Sequence, residues 1–269
     1  MVNIPVAHSV TPGQATVWLQ SGWRIFAASP GAWIVTILLL TVISIVVSLV
    51  PLLGTLLGAL LTPFYSAFMF LLAHENSVGR TITMNKLIQP LRKLEPKEGG
   101  VFQALMILGL LGLAVAFAIA MVMLLGLLLG GELGGVLGAV TEADDEMVVA
   151  MLVGGLSLVF IPFLLIGSLL GAIWSMLCFY AIPLVTFSNI PVWPALKASG
   201  QAFMRNIVPW LLFGLILLGL GIVASIPLFL GWLVLLPVMV GAGYASFVDI
   251  FQYTPAESEG TLDLFKPLD

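Results

Sequence analysis

The chain has 269 residues, of which 61% are hydrophobic and only 8% are charged, and its formal net charge is −4 at pH 7. Because a soluble domain carries about a quarter charged residues, this composition excludes a water-soluble globular protein and indicates that lipid is the solvent. The few basic residues form no dense patch, so we expect no nucleic-acid binding. The single cysteine, Cys178, excludes an internal disulfide.

Six apolar runs follow one another, each near or above the roughly 20 residues that a membrane-spanning helix needs. They lie at residues 32–50, 52–73, 101–129, 147–179, 208–226 and 229–251. Short segments that contain Ser and Pro separate the first run from the second and the fifth from the sixth. Ser can cap a helix and Pro suits its first turn, so these segments predict tight helical hairpins. The alternative, one kinked helix of about 40 apolar residues, would be twice as long as the bilayer is thick.

The basic residues all lie on one side of these six runs. They are Arg24, Arg80, Lys86, Arg92, Lys93, Lys97, Lys197, Arg205 and Lys266. The loop between the third and fourth runs carries only acidic charges, including those of the acidic loop 142–146. The positive-inside rule therefore predicts a multi-pass protein of the bacterial inner membrane with both termini in the cytoplasm.

An amphipathic segment precedes each predicted hairpin. The apolar face of the first comprises Trp18, Leu19, Gly22, Trp23, Ile25 and Phe26. The apolar face of the segment before the last hairpin comprises Leu196, Gly200, Phe203 and Met204. That of the segment before the middle hairpin, which is the third candidate, comprises Met84, Leu87, Ile88, Leu91 and Leu94. Helices of this kind lie in the headgroup plane of a membrane with the apolar face in the lipid, so we predict three cytoplasmic interfacial helices.

The two ends of the chain resemble each other in sequence. The spacing from Phe26 to Trp33 equals that from Phe203 to Trp210, and a Ser-Gly pair precedes both. We therefore predict one all-α membrane domain, 1–254, built from three repeat-like units with parallel topology. These units are 12–73, 82–180 and 193–252, and residues 255–269 form a flexible cytoplasmic tail.

Small and basic residues supply the candidate contacts. Three pairs have the GxxxG spacing that lets helices approach closely: Gly54 with Gly58, Gly130 with Gly134, and Gly167 with Gly171. They predict packing within the chain or an interface with a partner. The candidates for contact with anionic lipid headgroups are Arg24, Arg92, Lys93, Lys197 and Arg205. Tryptophans near the run ends, including Trp18 and Trp33, suit membrane-interface anchors.

No pattern in the sequence predicts catalysis, a metal site or a cofactor. The only histidines are His8 and His74, and neither belongs to a ligand motif. Asp249 lies in the last run and is either an interfacial carboxylate or a functional contact. The acidic loop 142–146 is either solvated or able to hold a divalent cation. We therefore predict that the protein is not an enzyme.

Several motifs together resemble a known family. They are Gly22-Trp23-x-x-Phe26 followed by Pro30 and Trp33, then Pro51-Leu52-Leu53-Gly54, and finally Tyr244 with Asp249-Ile250-Phe251. Over residues 13–252 the chain is similar to proteobacterial six-span inner-membrane proteins of the YciC-like and glycerophosphodiesterase membrane-domain group, for which no catalytic residues are established. The resemblance implies six spans but no activity. A soluble phosphodiesterase domain is sometimes joined to that membrane domain, and since this sequence contains none, no hydrolase activity is expected.

Two functional hypotheses follow from the sequence. The first is a non-enzymatic accessory or scaffolding component of a larger membrane assembly, with membrane lipid and either a protein partner or further copies of the chain as its contacts. The second is a permease or lipid-handling protein, which needs a cavity between the hairpins. A membrane enzyme ranks third, because no nucleophile or general base is recognisable.

Overall fold

The computed structural model describes residues 5–50, 53–80, 82, 100–140 and 145–254, with side chains except those of 53, 55 and 131–158. Within these residues the chain forms eight α-helices and no strand. They are α1 Gln14–Ala28, α2 Pro30–Ser48, α3 Leu53–Ser77, α4 Val101–Val140, α5 Asp145–Ser188, α6 Val192–Arg205, α7 Ile207–Ser225 and α8 Trp232–Phe251.

Six of these helices are long and apolar enough to cross a membrane. The spanning segments are Pro30–Ser48, Leu56–Ser77, Val101–Gly130, Val159–Ser188, Ile207–Ser225 and Trp232–Phe251. The prediction of an all-α polytopic membrane protein is thereby confirmed. The predicted fourth run, 147–179, lies within α5, which continues to Ser188 with residues that are still apolar.

Two parts of the chain share one order of helices. In each, an amphipathic helix of 15 or 14 residues is followed, after a single residue, by a spanning helix of 19 residues. The single residues are Ser29 and Asn206, whose backbones leave the helical region and turn the chain. The third predicted amphipathic helix, 84–94, and the predicted tail, 255–269, lie outside the described residues. The three-unit repeat and the single membrane domain stay predictions.

The chain groups into two compact units, which are described separately. Unit 1 comprises residues 1–109 and 177–269, and unit 2 comprises residues 110–176. Helix α8 forms the centre of unit 1, with 67% of its apolar window buried compared with 22% for α2 and for α7. It is contacted by α1, α2, α3 and α7. Small residues along α8, among them Gly241 and Ala242, allow these neighbours to approach closely.

The packing of α1 against α8 brings the two backbones into contact. A Cβ atom added at Gly241 would lie 2.9 Å from the Cα of Gly22, and one added at Gly22 would overlap the carbonyl oxygen of Val238. Trp18 and Ile25 are fully buried on the same side of α1. The expectation that this apolar face lies in lipid is therefore wrong, because the glycine-rich surface of α8 covers it.

The amphipathic faces differ from the predicted ones in two further residues. The helical period places Trp23 and Met204 on the apolar faces of α1 and α6, but both side chains are exposed. On α6, Leu196 and Phe203 are buried as expected. The helical period gives the centre of each face correctly, whereas residues at its border are buried only if a neighbouring helix covers them.

Unit 2 consists of the neighbouring stretches of α4 and α5. A Cβ atom at Gly167 would overlap the methyl group of Met123, and one at Gly126 would lie 2.6 Å from the ring of Phe163. Glycines on each helix thus receive large side chains from the other. Most of the described leucines in this unit are exposed, as expected for surfaces that face lipid.

Candidate functional site

Buried polar side chains of unit 1 concentrate where the spanning helices meet α1 and α6. They are Ser21, Ser29, Thr36, His74, Asn76, Ser77, Ser199, Asn206 and Ser246. A buried polar group that lacks a partner costs free energy, and in lipid no water is available to replace that partner. The hydrogen bonds of these residues therefore show what the cluster does.

Asp249, in the last turns of α8, holds α1. The Nε1–H of Trp18 donates a hydrogen bond of 2.9 Å to Oδ2 of Asp249. The indole ring of Trp18 also packs against Trp210 and Phe213, with centroids 5.7 and 6.1 Å apart. The carboxylate is thus an internal anchor, and the bond connects residues that are 231 positions apart in sequence.

The two titratable residues near the end of α3, His74 and Glu75, have other partners. His74 Nδ1 and the hydroxyl of Tyr244 are 2.8 Å apart, and the His74 ring stacks near Phe187. Glu75 forms an exposed ion pair of 3.0 Å with Arg80. These bonds tie the two residues to different partners, and neither bond involves Asp249.

Aromatic rings surround these polar groups. The cluster comprises Trp18, Phe179, Tyr180, Phe187, Phe203, Trp210, Phe213, Tyr244, Phe247, Phe251 and Tyr253. Within it the hydroxyl of Tyr180 donates to Oγ of Ser246 at 3.0 Å. Burial among these rings raises the pKa of the Tyr253 hydroxyl, which lies beyond the end of α8. The rings come from α1, α5, α6, α7 and α8 and from Tyr253 beyond the end of α8.

The junction between α1 and α2 is held by Asn76. Its Nδ2 donates to the carbonyl oxygen of Ile25 at 3.0 Å, and its Oδ1 accepts a hydrogen bond of 3.2 Å from Oγ of Ser29. Oγ of Ser29 in turn accepts from the backbone N–H of Ile82. The end of α3 and the segment after it are thus tied to the point where α1 ends.

The junction between α6 and α7 holds the N-terminal segment, residues 5–10. Nδ2 of Asn206 donates to the carbonyl oxygen of His8 at 2.9 Å, and its Oδ1 accepts from the N–H of Val10 at 2.8 Å. Nη1 of Arg205 donates to the carbonyl oxygen of Ala7 at 2.7 Å. At each junction an asparagine side chain therefore ties another segment of the chain to the point where an amphipathic helix meets a spanning helix.

The six candidate glycines lie in different environments. Gly167 faces Met123, and a Cβ atom added at Gly171 would lie 3.8 Å from the side chain of Ile119, so both pack within unit 2. A Cβ atom added at Gly54 would overlap the backbone of Val47 in α2, whereas one added at Gly58 would meet nothing within 4 Å. Gly130 is buried at the end of the spanning segment of α4. Gly134 lies outside the residues whose side chains are described.

The candidate cations also differ in their surroundings. Lys197 on α6 is exposed, whereas Arg24 on α1 is only partly exposed. Arg205 is exposed but donates to the N-terminal segment. Arg92, Lys93 and the acidic loop residues 142–144 lie outside the described residues. Trp18 and Trp33 are fully buried, so these two do not act as interfacial anchors.

Two clefts open on the sides of unit 1. The first has a volume of about 560 Å³ and lies between α2, α3 and α8, with Thr41, Ser44 and Met69 in its wall. The second, of about 550 Å³, lies between α1, α7 and α8, with Gln20, Trp23 and Val223 in its wall. Both are lined mainly by apolar side chains, so they suit hydrocarbon chains better than polar solutes.

Sequence reasoning missed the residues that organise this region, namely Ser29, Asn76 and Asn206. Their signal was available: in a chain so poor in polar residues, an amide at the end of an apolar run has to be paired or solvated. Among the residues described, no group of three or more His, Cys, Asp or Glu side chains is placed to hold a metal ion.

The fold and this cluster define a multi-pass α-helical membrane protein whose buried polar groups join its helices. The chain matches no family model, no curated protein and no solved structure.

Proposed function

We propose that the protein is a non-enzymatic, multi-pass protein of the bacterial inner membrane that acts as an accessory or scaffolding component of a larger assembly. Both termini are cytoplasmic in this proposal, and the chain belongs to the YciC-like group that it resembles. The observation that carries it is the outer face of α7, which presents glycines to the membrane.

This outer face consists of large apolar side chains at alternating spacings of three and four residues. They are Val208, Leu211, Leu215, Leu218 and Ile222, each between 50% and 67% exposed. Gly214 and Gly219 lie among them, and a Cβ atom added at either would meet nothing within 4 Å. The face therefore has ridges and open gaps, which is the surface that a second helix packs into.

The exposed glycines need a reason, because glycine in a helix is about 0.5–1 kcal/mol less favourable than alanine. Gly221, on the inner side of α7, has one: a Cβ there would lie 3.4 Å from the ring of Trp232. No part of the described chain supplies such a neighbour for Gly214 or Gly219. A helix of another protein, approaching closely, would supply it.

Purification in mild detergent, followed by mass spectrometry, tests the proposal. The test variant is the pair Gly214→Leu and Gly219→Leu, and the control is Gly31→Leu on α2, where a Cβ also meets nothing within 4 Å. We expect the wild type and the control to retain the same protein partner and the test variant to lose it. A wild-type protein that always runs alone or as a simple self-oligomer would contradict the proposal, as would a test variant that keeps the partner.

Anionic lipid is the second contact that we propose. Lys197 on α6 is exposed and Arg24 on α1 is partly exposed, and Arg80 and Arg205 are also exposed. Cations held near a membrane surface attract anionic headgroups at about 1 kcal/mol each. Nucleic acid is not among the partners that we propose.

The lateral clefts favour a second candidate function, the handling of lipid. The second cleft, between α1, α7 and α8, opens beside Trp23 and Gln20 and is otherwise apolar. Filling it with Val223→Trp should reduce transfer of a fluorescent phospholipid between vesicles that carry the protein, whereas Leu215→Trp, on the outer face of α7, should not. Equal transfer by wild type, both variants and protein-free vesicles would remove this candidate.

A further inference from the structure

The turn between α7 and α8 is the least polar connection among those described. It comprises Ile226, Pro227, Leu228, Phe229, Leu230 and Gly231. Leu228 is 86% exposed, and Ile226 and Phe229 are also well exposed. A turn that emerged into water would place these large apolar side chains against solvent, which the hydrophobic effect disfavours.

Four of the five backbone N–H groups of the turn donate to carbonyl oxygens of the same hairpin. The N–H of Leu228 donates to Ile226 O at 2.9 Å, that of Phe229 to Ser225 O at 3.3 Å, and that of Leu230 to Pro227 O at 3.0 Å. Proline has no N–H, and the N–H groups of Ile226 and Trp232 are also bonded within the turn. Surface turns in water can leave such donors to the solvent, whereas in lipid each must find an internal partner.

The side chains beside the turn are paired in the same way. Nε1–H of Trp232 donates to Oγ of Ser225 at 3.0 Å, and Oγ of Ser225 donates to the carbonyl oxygen of Gly221 at 2.8 Å. No charged residue lies between Arg205 and Asp249. The polar side-chain atoms beside the turn are therefore bonded locally, and the exposed side chains of the turn are hydrocarbon.

The turn also holds a conformation that directs apolar side chains outward. Leu228 and Phe229 both have positive φ, 53° and 65°, a region that non-glycine residues rarely occupy. Gly231 permits the tight return, because a Cβ there would lie 2.6 Å from the Cα of Ala224. Strained residues of this kind persist where their placement has a use.

Helix length places this turn relative to the bilayer. α7 has 19 residues and α8 has 20, so they are about 28 and 30 Å long, close to the thickness of the hydrocarbon core. α4 and α5, with 40 and 44 residues, are about 60 and 66 Å long and are joined through acidic residues. The α4–α5 hairpin is long enough to leave the membrane, and the α7–α8 hairpin is not.

We propose that the α7–α8 turn is a membrane-immersed tip whose partner is the acyl-chain layer of the leaflet opposite the α1 and α6 end. The proposal is independent of the accessory role, because it concerns the tip and not the outer face of α7. In this position the α7–α8 hairpin reaches the leaflet opposite the α1 and α6 end but exposes no loop to the water beyond that leaflet.

Single-cysteine variants test the position of the tip. Replacing Cys178, the one native cysteine, with alanine gives the background for Leu228→Cys. Leu215→Cys, on the outer face of α7, is the control for a position in lipid, and Thr254→Cys, exposed beyond the end of α8, is the control for water. The full chain is placed in permeabilised vesicles of phosphatidylethanolamine and phosphatidylglycerol. A charged maleimide that does not enter lipid is then added.

The tip should react like the lipid control. Because the maleimide reacts with the hydrated thiolate, we expect Leu228→Cys to be modified at a rate near that of Leu215→Cys and at least roughly tenfold below that of Thr254→Cys. A fluorophore attached to Cys at position 228 in detergent, before reconstitution, should be quenched by lipids that carry bromine on the acyl chains.

Two results would overturn the proposal. A rate equal to that of Thr254→Cys would place the turn in water. A slow rate without quenching by brominated lipid would show that protein, from a partner or a second copy, covers it. Ile226→Cys is the second reporter, so that failure of one variant to fold leaves the test intact.

Discussion

The contact between α1 and α8 makes Gly22→Ala the sharpest test of the fold. The added methyl group would overlap the carbonyl oxygen of Val238 and lie 2.7 Å from the backbone nitrogen of Ala242. Both atoms belong to the backbone of α8, so no side-chain rotation relieves the overlap, and α1 has to move away. Overpacking of this kind costs about 1–3 kcal/mol.

Part of this cost is offset, because alanine is a better helix former than glycine by about 0.5–1 kcal/mol. The expected net effect is a loss of about 1–2 kcal/mol of unfolding free energy. At about 2–4 °C per kcal/mol for a chain of this size, Tm should fall by several degrees. Gly31→Ala is the matched control: a Cβ there meets nothing within 4 Å, so Tm should stay equal or rise slightly.

Thermal unfolding in detergent, followed by tryptophan fluorescence, measures this difference. Trp18 is fully buried on α1, so separation of α1 from α8 should change its emission. If Gly22→Ala unfolds at the same temperature as Gly31→Ala or above it, then α1 does not lie in backbone contact with α8. The reasoning about a protein-covered amphipathic helix would then fail.

Two further substitutions test the polar anchors. Trp18→Phe removes the donor to Asp249 and should lower the unfolding free energy by about 1–3 kcal/mol. The control, Trp193→Phe, changes an exposed side chain and should alter the unfolding free energy little. Equal denaturation midpoints for the two variants would refute the role of Asp249 as an anchor. Asn206→Ala removes the side-chain bonds to the N-terminal segment, so amide hydrogen exchange in that segment should become faster. Gln201→Ala, which changes an exposed side chain, is the control and should leave exchange there unchanged. Unchanged protection in Asn206→Ala would show that other contacts hold the segment.

The class of fold and the number of spanning helices could be predicted from the sequence, because a span is a local property. A run of apolar residues of sufficient length forms a helix in lipid whatever its neighbours are. One of the two single-residue junctions carries a local signal, since Pro30 begins α2 directly after Ser29, whereas Ile207 follows Asn206 without one. The predicted ends of α4 and α5 are less accurate, because α4 continues past residue 129 through a glycine-rich stretch to Val140 and α5 continues past residue 179 to Ser188.

The neighbour of each amphipathic face could not be predicted. The helical period shows that Trp18 and Ile25 lie on one side of α1, but lipid and protein present the same requirement to an apolar face. The choice between them depends on α8, whose Gly241 lies more than two hundred residues away. The same holds for the bond from Trp18 to Asp249, which no spacing in the sequence encodes.

The outer face of α7 lacks the polar contacts that hold unit 1 together. In lipid the hydrophobic effect does not drive helices together, so association depends on close packing and on hydrogen bonds. The α1–α8 contact uses both, with Gly22 against Gly241 and Trp18 bonded to Asp249. The outer face of α7 offers glycine gaps and leucine ridges but no side-chain donor. A partner held there would be bound by packing alone, and we therefore expect the association to be reversible and to weaken as detergent competes for the same surface.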